Sequence, residues 1–270
     1  MRTQLRVGTV PYLVARPLDE GLGDEPGIEL VREVPARLVE RLRAGVLDVA
    51  RVSSIELFRR PGYRRIDGLG VCGRGPVASV QVFLRKAWSE VRSVALDPAS
   101  RAAATLVRVL AAERPGGPPS FVDVEAPSAD PRAAEADAWL RIGDAALREA
   151  LASDAPPVFN PSLEWTRATG LPFVFATWIV RQDAPIEEHL AAFGRSRERG
   201  EARREALCAE AARAWSLPLD ACRAYLLDEC IYELGPELER TLLAFRDRAA
   251  RLDLCDAALR PEPIPLPAPR

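Results

Sequence analysis

Apolar and polar residues alternate over residues 5–10 (LRVGTV), and the run stops at Pro11, the pattern of a half-buried strand leading into a loop. Residues 28–34 alternate again. Pro35 then stands where a helix can begin at no cost, because the first helical N–H has no intrahelical acceptor. Leu38, Val39, Leu42 and Val46 follow at helical spacing, Gly45 is placed to end the helix, and residues 46–52 read as a third strand running into Ser53 and Ser54. Strand, strand, helix, strand is the opening of an α/β layer structure.

The middle of the chain repeats this theme. Residues 79–84 and 93–96 predict strands, residues 100–112 a helix rich in Ala, Leu and Val, and RPGGPPS (114–120) a loop. Residues 121–124 and 138–142 read as short strands, Asp144 as the N-cap of a helix, and residues 173–180 as the last strand. Beyond Pro185 the pattern is helical only, over 186–197, 201–215, 219–231 and 236–251, with breaks at Gly200, Pro218 and Gly235. The tail RPEPIPLPAPR (260–270) is too rich in proline for regular structure and is expected to be extended or disordered. Strands 79–84 and 173–180 bracket a compact α/β block of about ninety residues. If both cross between lobes, residues 85–179 form an inserted lobe, and residues 1–84 with 180–270, including the C-terminal helices, form the other. The expected fold class is therefore α/β, two-lobed, with two hinge strands and a cleft lined by loops at the carboxyl ends of strands.

Composition narrows the function. The 270 residues carry 37 basic and 39 acidic side chains, a net charge of −2, which argues against phosphate-driven binding of nucleic acid. No apolar run reaches the ~18 residues of a membrane-spanning helix, so no membrane partner is expected. The N-terminal MRTQLRVGTVPYL lacks the apolar core of a secretory signal, and the expected location is the cytoplasm. Cys72, Cys208, Cys222, Cys230 and Cys255 form no CxxC pair and read as free thiols. One histidine, His189, and no clustered ligands leave no expected metal. GRGPVAS (73–79) is not a phosphate loop, and no GxGxxG follows a strand into a helix, so no nucleotide or other cofactor is expected. Nothing in the sequence sets an oligomeric state.

The cleft-facing loops would be 11–17, 52–56, 73–79, 97–101, 143–146 and 169–172, which supply small hydroxyls, glycine N–H groups and arginine. That lining suits a small anionic ligand rich in oxygen. Ser100 and Arg101 sit at a helix start, where anions are attracted, and read equally as a helix cap beside an exposed arginine. Ser53 and Ser54 read as capping the next helix, and Gly73 and Gly75 as a tight turn around Arg74. His189 lies outside these loops, so a Ser–His–Asp arrangement finds no support. Trp165, Phe175 and Trp178 read as core, with one able to wall a pocket.

Taken together, PYLVARPL (11–18), VSSIELF (52–58), GRGPVASVQVFL (73–84), VALDPASR (94–101), RIGDAAL (141–147) and EWTRATGLPFVFATWIV (164–180) resemble, in order and spacing, the chorismate dehydratase family of the futalosine route to menaquinone. The resemblance runs from Val7 to about Phe245. It implies a periplasmic-binding-protein-like type II fold and a lyase. The enzyme would remove the C4 hydroxyl of chorismate as water together with a ring proton, leaving 3-[(1-carboxyvinyl)oxy]benzoate, without cofactor or metal. A carboxylate of the substrate would serve as base, and the protein would act by orientation and exclusion of water. The implied substrate-binding residues are Tyr12, Val14, Ser53, Ser54, Gly75, Ser79, Ser100, Arg101, Gly143, Asp144, Thr169 and Gly170, with Ser100 and Arg101 holding a carboxylate. No catalytic side chain is assigned. The family usually has an asparagine where this chain has Val14, hydroxyl residues where it has Ala102 and Ala103, and commonly Thr or Ser at Pro98 and Ala99. A second reading, from another class, is a non-catalytic or repurposed binder of a small aromatic carboxylate on the same fold. A third, the later naphthoate-forming enzyme of the route, uses a cleft histidine that His189 is poorly placed to supply.

Overall fold

The computed structural model describes residues 4–124 and 130–267. The chain first lays down β1 (Leu5–Thr9), β2 (Ile28–Arg32), α1 (Pro35–Arg43), β3 (Val49–Ser53) and β4 (Tyr63–Gly73). It then builds β5 (Val80–Leu84), β6 (Ser93–Leu96), α2 (Arg101–Ala112), β7 (Ser120–Asp123), β8 (Ala138–Ile142), α3 (Gly143–Ala150), β9 (Val158–Phe159) and α4 (Pro161–Thr169). It ends with β10 (Phe173–Arg181), α5 (Leu190–Trp215), α6 (Leu219–Arg223), β11 (Cys230–Glu233), α7 (Glu237–Ala250) and β12 (Glu262–Ile264). Strands β1–β4 and β10–β12 make one sheet, ordered β11-β4-β10-β3-β1-β2, with β12 also beside β4; β5–β9 make a second, ordered β7-β6-β8-β5-β9.

The α/β class expected from the sequence is therefore present, with a different crossing. Among the described residues, strand β5 pairs with β8 and β9 alone, and β10 with β3 and β4 alone. All of Val80–Leu84 is buried, which a central place in the smaller sheet satisfies and a free crossing would not. The chain passes between the sheets through residues 74–79 and again through 160–172, not along the two strands.

Strand β4 has no counterpart in the hydrophobic pattern, because YRRIDGLGVCG carries three charges and three glycines. Its pairing with β10 slips between Thr177 and Ile179, whose partners are Gly70 and Arg65, and Gly68 at φ 74° lies inside that irregularity. Arg65 is held there by ion pairs with Asp67 and Glu239.

The C-terminal region is not helical throughout. Beyond α6 the chain takes one π-helical turn (Ala224–Glu229) and then becomes β11 on the outer edge of β4. Part of the tail, Glu262–Ile264, pairs in parallel with Arg64–Ile66, while residues 268–270 lie outside the described residues. Gly200 does not break a helix. α5 runs straight through it, and a Cβ there would lie 2.1 Å from the Pro17 carbonyl oxygen. Glycine is needed for contact between helix and neighbouring backbone, not for a turn.

One face of the larger sheet packs Leu5, Val7, Val49 and Trp178 against Phe193 of α5; the other packs Val52 and Ile179 against Leu38, Leu42 and Leu242. In the smaller sheet Val82, Val94 and Leu140 pack against Ala103 and Val107 of α2. These cores hold the strand ends that carry the site.

Candidate functional site

Between the two sheets lies a cavity of about 80 Å³. At ~10–15 Å³ per water it has room for five or more waters. Its walls come from both sheets and from the crossing segment. Tyr12 and Val14 enter from the loop after β1, Arg51 and Ser53 from β3, Ser79 from the crossing, and Ser100 and Gly143 from the loops after β6 and β8. Val71, Val77, Phe175 and Cys230 make the remainder largely apolar.

Each side chain is fixed by a local cause. Val14 and Pro17 lie in a short 3-10 helix (Leu13–Leu18) that starts after Tyr12 and packs on α5. The Tyr12 ring lies against Gly143, where an added Cβ would sit 3.2 Å from it and where φ is 68°. Burial, with Asp97 and Asp144 nearby, pushes the Tyr12 phenol up to about 12, so at neutral pH it keeps its proton. The Ser100 hydroxyl oxygen accepts from Ala103 N–H at 3.2 Å, the N-cap the sequence allowed, and Ser53 accepts from Ala102 N–H at 3.2 Å across the gap between the sheets. Two donors at the start of α2 are thus taken by serine oxygens, which leaves both O–H protons to be donated to a ligand.

Asp97 ties the loops together, accepting from Ala99 N–H at 2.8 Å and from Ile142 N–H at 3.1 Å, and burial raises its carboxyl above the ordinary range. Glu229 accepts from Ala78 N–H at 2.7 Å and so fixes the crossing segment beside Ser79. Burial pushes the Cys230 thiol up to about 12, leaving it no thiolate for nucleophilic chemistry at neutral pH.

Of the residues singled out in the sequence, Tyr12, Val14, Ser53, Ser79, Ser100 and Gly143 line this one cavity. The others do not line it. The Ser54 hydroxyl donates to the Val174 carbonyl at 2.6 Å and is buried in the fold. Gly75 donates its N–H to Thr166 Oγ1 at 3.0 Å, which anchors the crossing to α4. Thr169 ends α4, its hydroxyl donating to the Trp165 carbonyl at 2.8 Å, and Gly170 at φ 70° is the helix C-cap. The loop expected at 169–172 is therefore the end of a helix that the sequence pattern missed.

Asp144 does not cap its own helix. Its carboxylate accepts from Leu13 N–H at 3.0 Å, joining α3 to the loop after β1, and burial pushes its carboxyl up to about 6. Arg101 lines a neighbouring basin of about 420 Å³ with Arg59 and Arg108, and Ser100 forms part of the wall of both spaces. Burial and the positive charge of Arg101 lower the Arg59 guanidinium. His189 is buried at the start of α5 and packs on Gly27, away from the cavity.

The residue that sequence reasoning passed over is Arg51. It is 1 % exposed, lies in the middle of β3, and lines the cavity. Its Nη2 donates to Thr9 Oγ1, and to Asp19 Oδ2 at 3.1 Å, while the guanidinium lies 4.8 Å from the centre of the Trp178 ring. The signal was present in VARVS: strand alternation puts Arg51 on one face with Val49 and Ser53, so a lone arginine enters a buried strand.

Among the described residues, no group of three or more His, Cys, Asp or Glu side chains is placed to hold a metal ion, and no helix is long and apolar enough to cross a membrane. Comparison with known proteins gives a family match and a fold match. Residues 5–251 match the family described as menaquinone biosynthesis. A chorismate dehydratase of Campylobacter jejuni is 29% identical over 233 residues, covering 86% of this chain and 87% of the relative. One of Thermus thermophilus is 30% identical over 234 residues, covering 79% and 84%. Among solved structures, AF1704 of Archaeoglobus fulgidus superposes with a TM-score of 0.73 at 19% identity, covering 93% of this chain and 98% of that one. The alkanesulfonate-binding protein SsuA of Xanthomonas axonopodis, bound to MOPS, superposes with a TM-score of 0.65 at 17% identity, covering 94% of both chains. The fold is that of the periplasmic binding proteins.

Proposed function

The chain belongs to the menaquinone-biosynthesis family, and from that membership we propose that it is a chorismate dehydratase-like lyase, converting chorismate to 3-[(1-carboxyvinyl)oxy]benzoate in the cavity between its sheets. The observation that carries this reading is convergence. Tyr12, Ser53, Ser79, Ser100 and Gly143 come from five separate family-like motifs and line one apolar cavity. A periplasmic-binding-protein-like fold also supports two lobes, hinged at residues 74–79 and 160–172, that close on a small anion.

In this reading the ring lies between the Tyr12 phenol and the apolar wall of Val71, Val77 and Phe175. The ring proton passes to a carboxylate of the substrate, the C4–O bond breaks, and the carboxyl hands that proton to the departing hydroxide, which leaves as water. No side chain of the cavity is ionised as a base: the Tyr12 phenol stays protonated, and the serines have only hydroxyls. The protein contributes orientation, O–H donors from Ser53 and Ser100 toward the departing oxygen, and a space from which bulk water is kept. Arginines 59, 101 and 108 at the neighbouring basin attract a dianion toward the cleft.

Val14 favours a second reading, a binder of aromatic carboxylates that performs no dehydration, because valine offers no donor at a position where the family usually has one. Incubating the purified protein with chorismate and resolving products by chromatography separates the two. Formation of the enolpyruvyl-benzoate above the spontaneous background supports the lyase. Thermal stabilisation by chorismate without product supports the binder, and neither effect overturns both.

A further inference from the structure

We propose that Arg51 is the anion anchor of the cavity, holding a carboxylate of the ligand from within the larger sheet. The inference rests on the reading of the cavity as a carboxylate site and adds the charge that the site otherwise lacks. The hydroxyls of Ser53 and Ser100 are neutral, and Arg101 lies in the neighbouring basin.

The guanidinium is buried, yet it is only half used. Nη2 serves Thr9 and Asp19, whereas Nε and Nη1 are both buried and have no hydrogen-bond partner among the described residues. A buried donor left unpaired carries its full desolvation cost, so such a group marks a place where a ligand completes the network. Charge accounting gives the same answer. Asp19 is shared between Arg51, at 3.1 Å, and Arg32, at 3.6 Å, so two guanidiniums face one carboxylate. One positive charge remains, and the Arg32 side chain is 47% exposed while that of Arg51 is shut in beside the cavity. Thr9 and Trp178 hold the guanidinium beside the cavity, and a small shift of the side chain toward the ligand would let Nε or Nη1 donate a charge-assisted hydrogen bond.

The test compares benzoate with benzamide, two rings of the same shape that differ in charge, by calorimetric titration of the wild type, Arg51→Lys and the double variant Arg51→Gln/Asp19→Asn. The double variant removes the buried pair together, so no lone carboxylate is left in the fold, and Arg51→Lys keeps the charge and a partner for Asp19. The wild type binds benzoate at least ~10-fold more tightly than benzamide, Arg51→Lys retains part of that preference, and the double variant loses it. A preference unchanged in Arg51→Lys and in the double variant, or absent in the wild type, overturns the proposal; if the double variant does not fold, Arg51→Lys decides alone. Chorismate turnover is measured in parallel. Benzoate preference that depends on Arg51 in a protein without turnover leaves the anchor standing and removes the lyase. Turnover with KM unchanged in both variants does the reverse.

Discussion

Replacing Gly200 with alanine sets two effects of opposite sign against each other inside α5. Removing a glycine from a helix interior ordinarily stabilises by about 1 kcal/mol, because alanine loses less conformational freedom on folding. At this position the added Cβ would lie 2.1 Å from the Pro17 carbonyl oxygen, 2.5 Å from its carbonyl carbon and 2.6 Å from its Cα. All three are backbone atoms, and none can swing aside as a rotamer. The helix and the 13–18 segment must move apart by more than an ångström, which costs about 3 kcal/mol, the upper end of overpacking. The net effect is a loss of about 2 kcal/mol, or a fall in Tm of about 4–8 °C for a chain of this size. Gly194 in the same helix supplies the control, because a Cβ there meets nothing within 4 Å. Scanning calorimetry without ligand should show Gly194→Ala at or above the wild-type Tm and Gly200→Ala below it. Because Pro17 belongs to the segment that carries Val14, Gly200→Ala should also weaken ligand binding. A Tm that rises equally in both variants would refute the claim that α5 supports the cavity through this contact.

Two further substitutions probe the site. The Asp144 carboxyl is raised from 3.8 to about 6, so its ionised form disfavours the folded state; its contribution is fully present below pH 4 and lost as pH rises through 6. At ~1.4 kcal/mol per pH unit the loss is about 3 kcal/mol, and denaturant titrations should show Asp144→Asn gaining on the wild type between pH 4 and 6 and holding a constant margin above; a margin flat from pH 4 to 7 contradicts the assignment. Val14→Asn adds a donor to the cavity wall and should raise the rate of chorismate dehydration by about tenfold or more, one hydrogen bond to a charged or departing group being worth ~1.5–3 kcal/mol; a rate unchanged in a variant that binds chorismate would show that position 14 has no part in the chemistry.

The legible parts of the molecule were those where one local rule dominates. Alternation disclosed β1, and Pro35 marked the first residue of α1. Ser100 caps α2 as its position before an alanine-rich helix allowed. What stayed hidden depends on contacts distant in sequence. Strand β4 is polar and glycine-rich because its pairing with β10 is irregular and its Arg65 finds Glu239, 174 residues away. β11 is a strand because the edge of β4 accepts it, and Gly200 looked like a helix break because nothing in its own neighbourhood announces Pro17. In the site, short motifs located Tyr12, Ser79 and Gly143 but not the division of labour among serines. Ser53 points at the start of α2 and Ser54 into the fold, a distinction that only the crossing of the two sheets creates. Arg51 was overlooked because its strand was read for its apolar residues.

The most direct measurement of the central claim is a crystal structure with 3-[(1-carboxyvinyl)oxy]benzoate soaked in. The account predicts the ring between Tyr12 and Phe175, one carboxylate within hydrogen-bonding distance of Arg51, and Ser53 and Ser100 donating to the ligand. A product molecule found only in the basin of Arg59, Arg101 and Arg108, with the cavity beside Arg51 holding water, would contradict it.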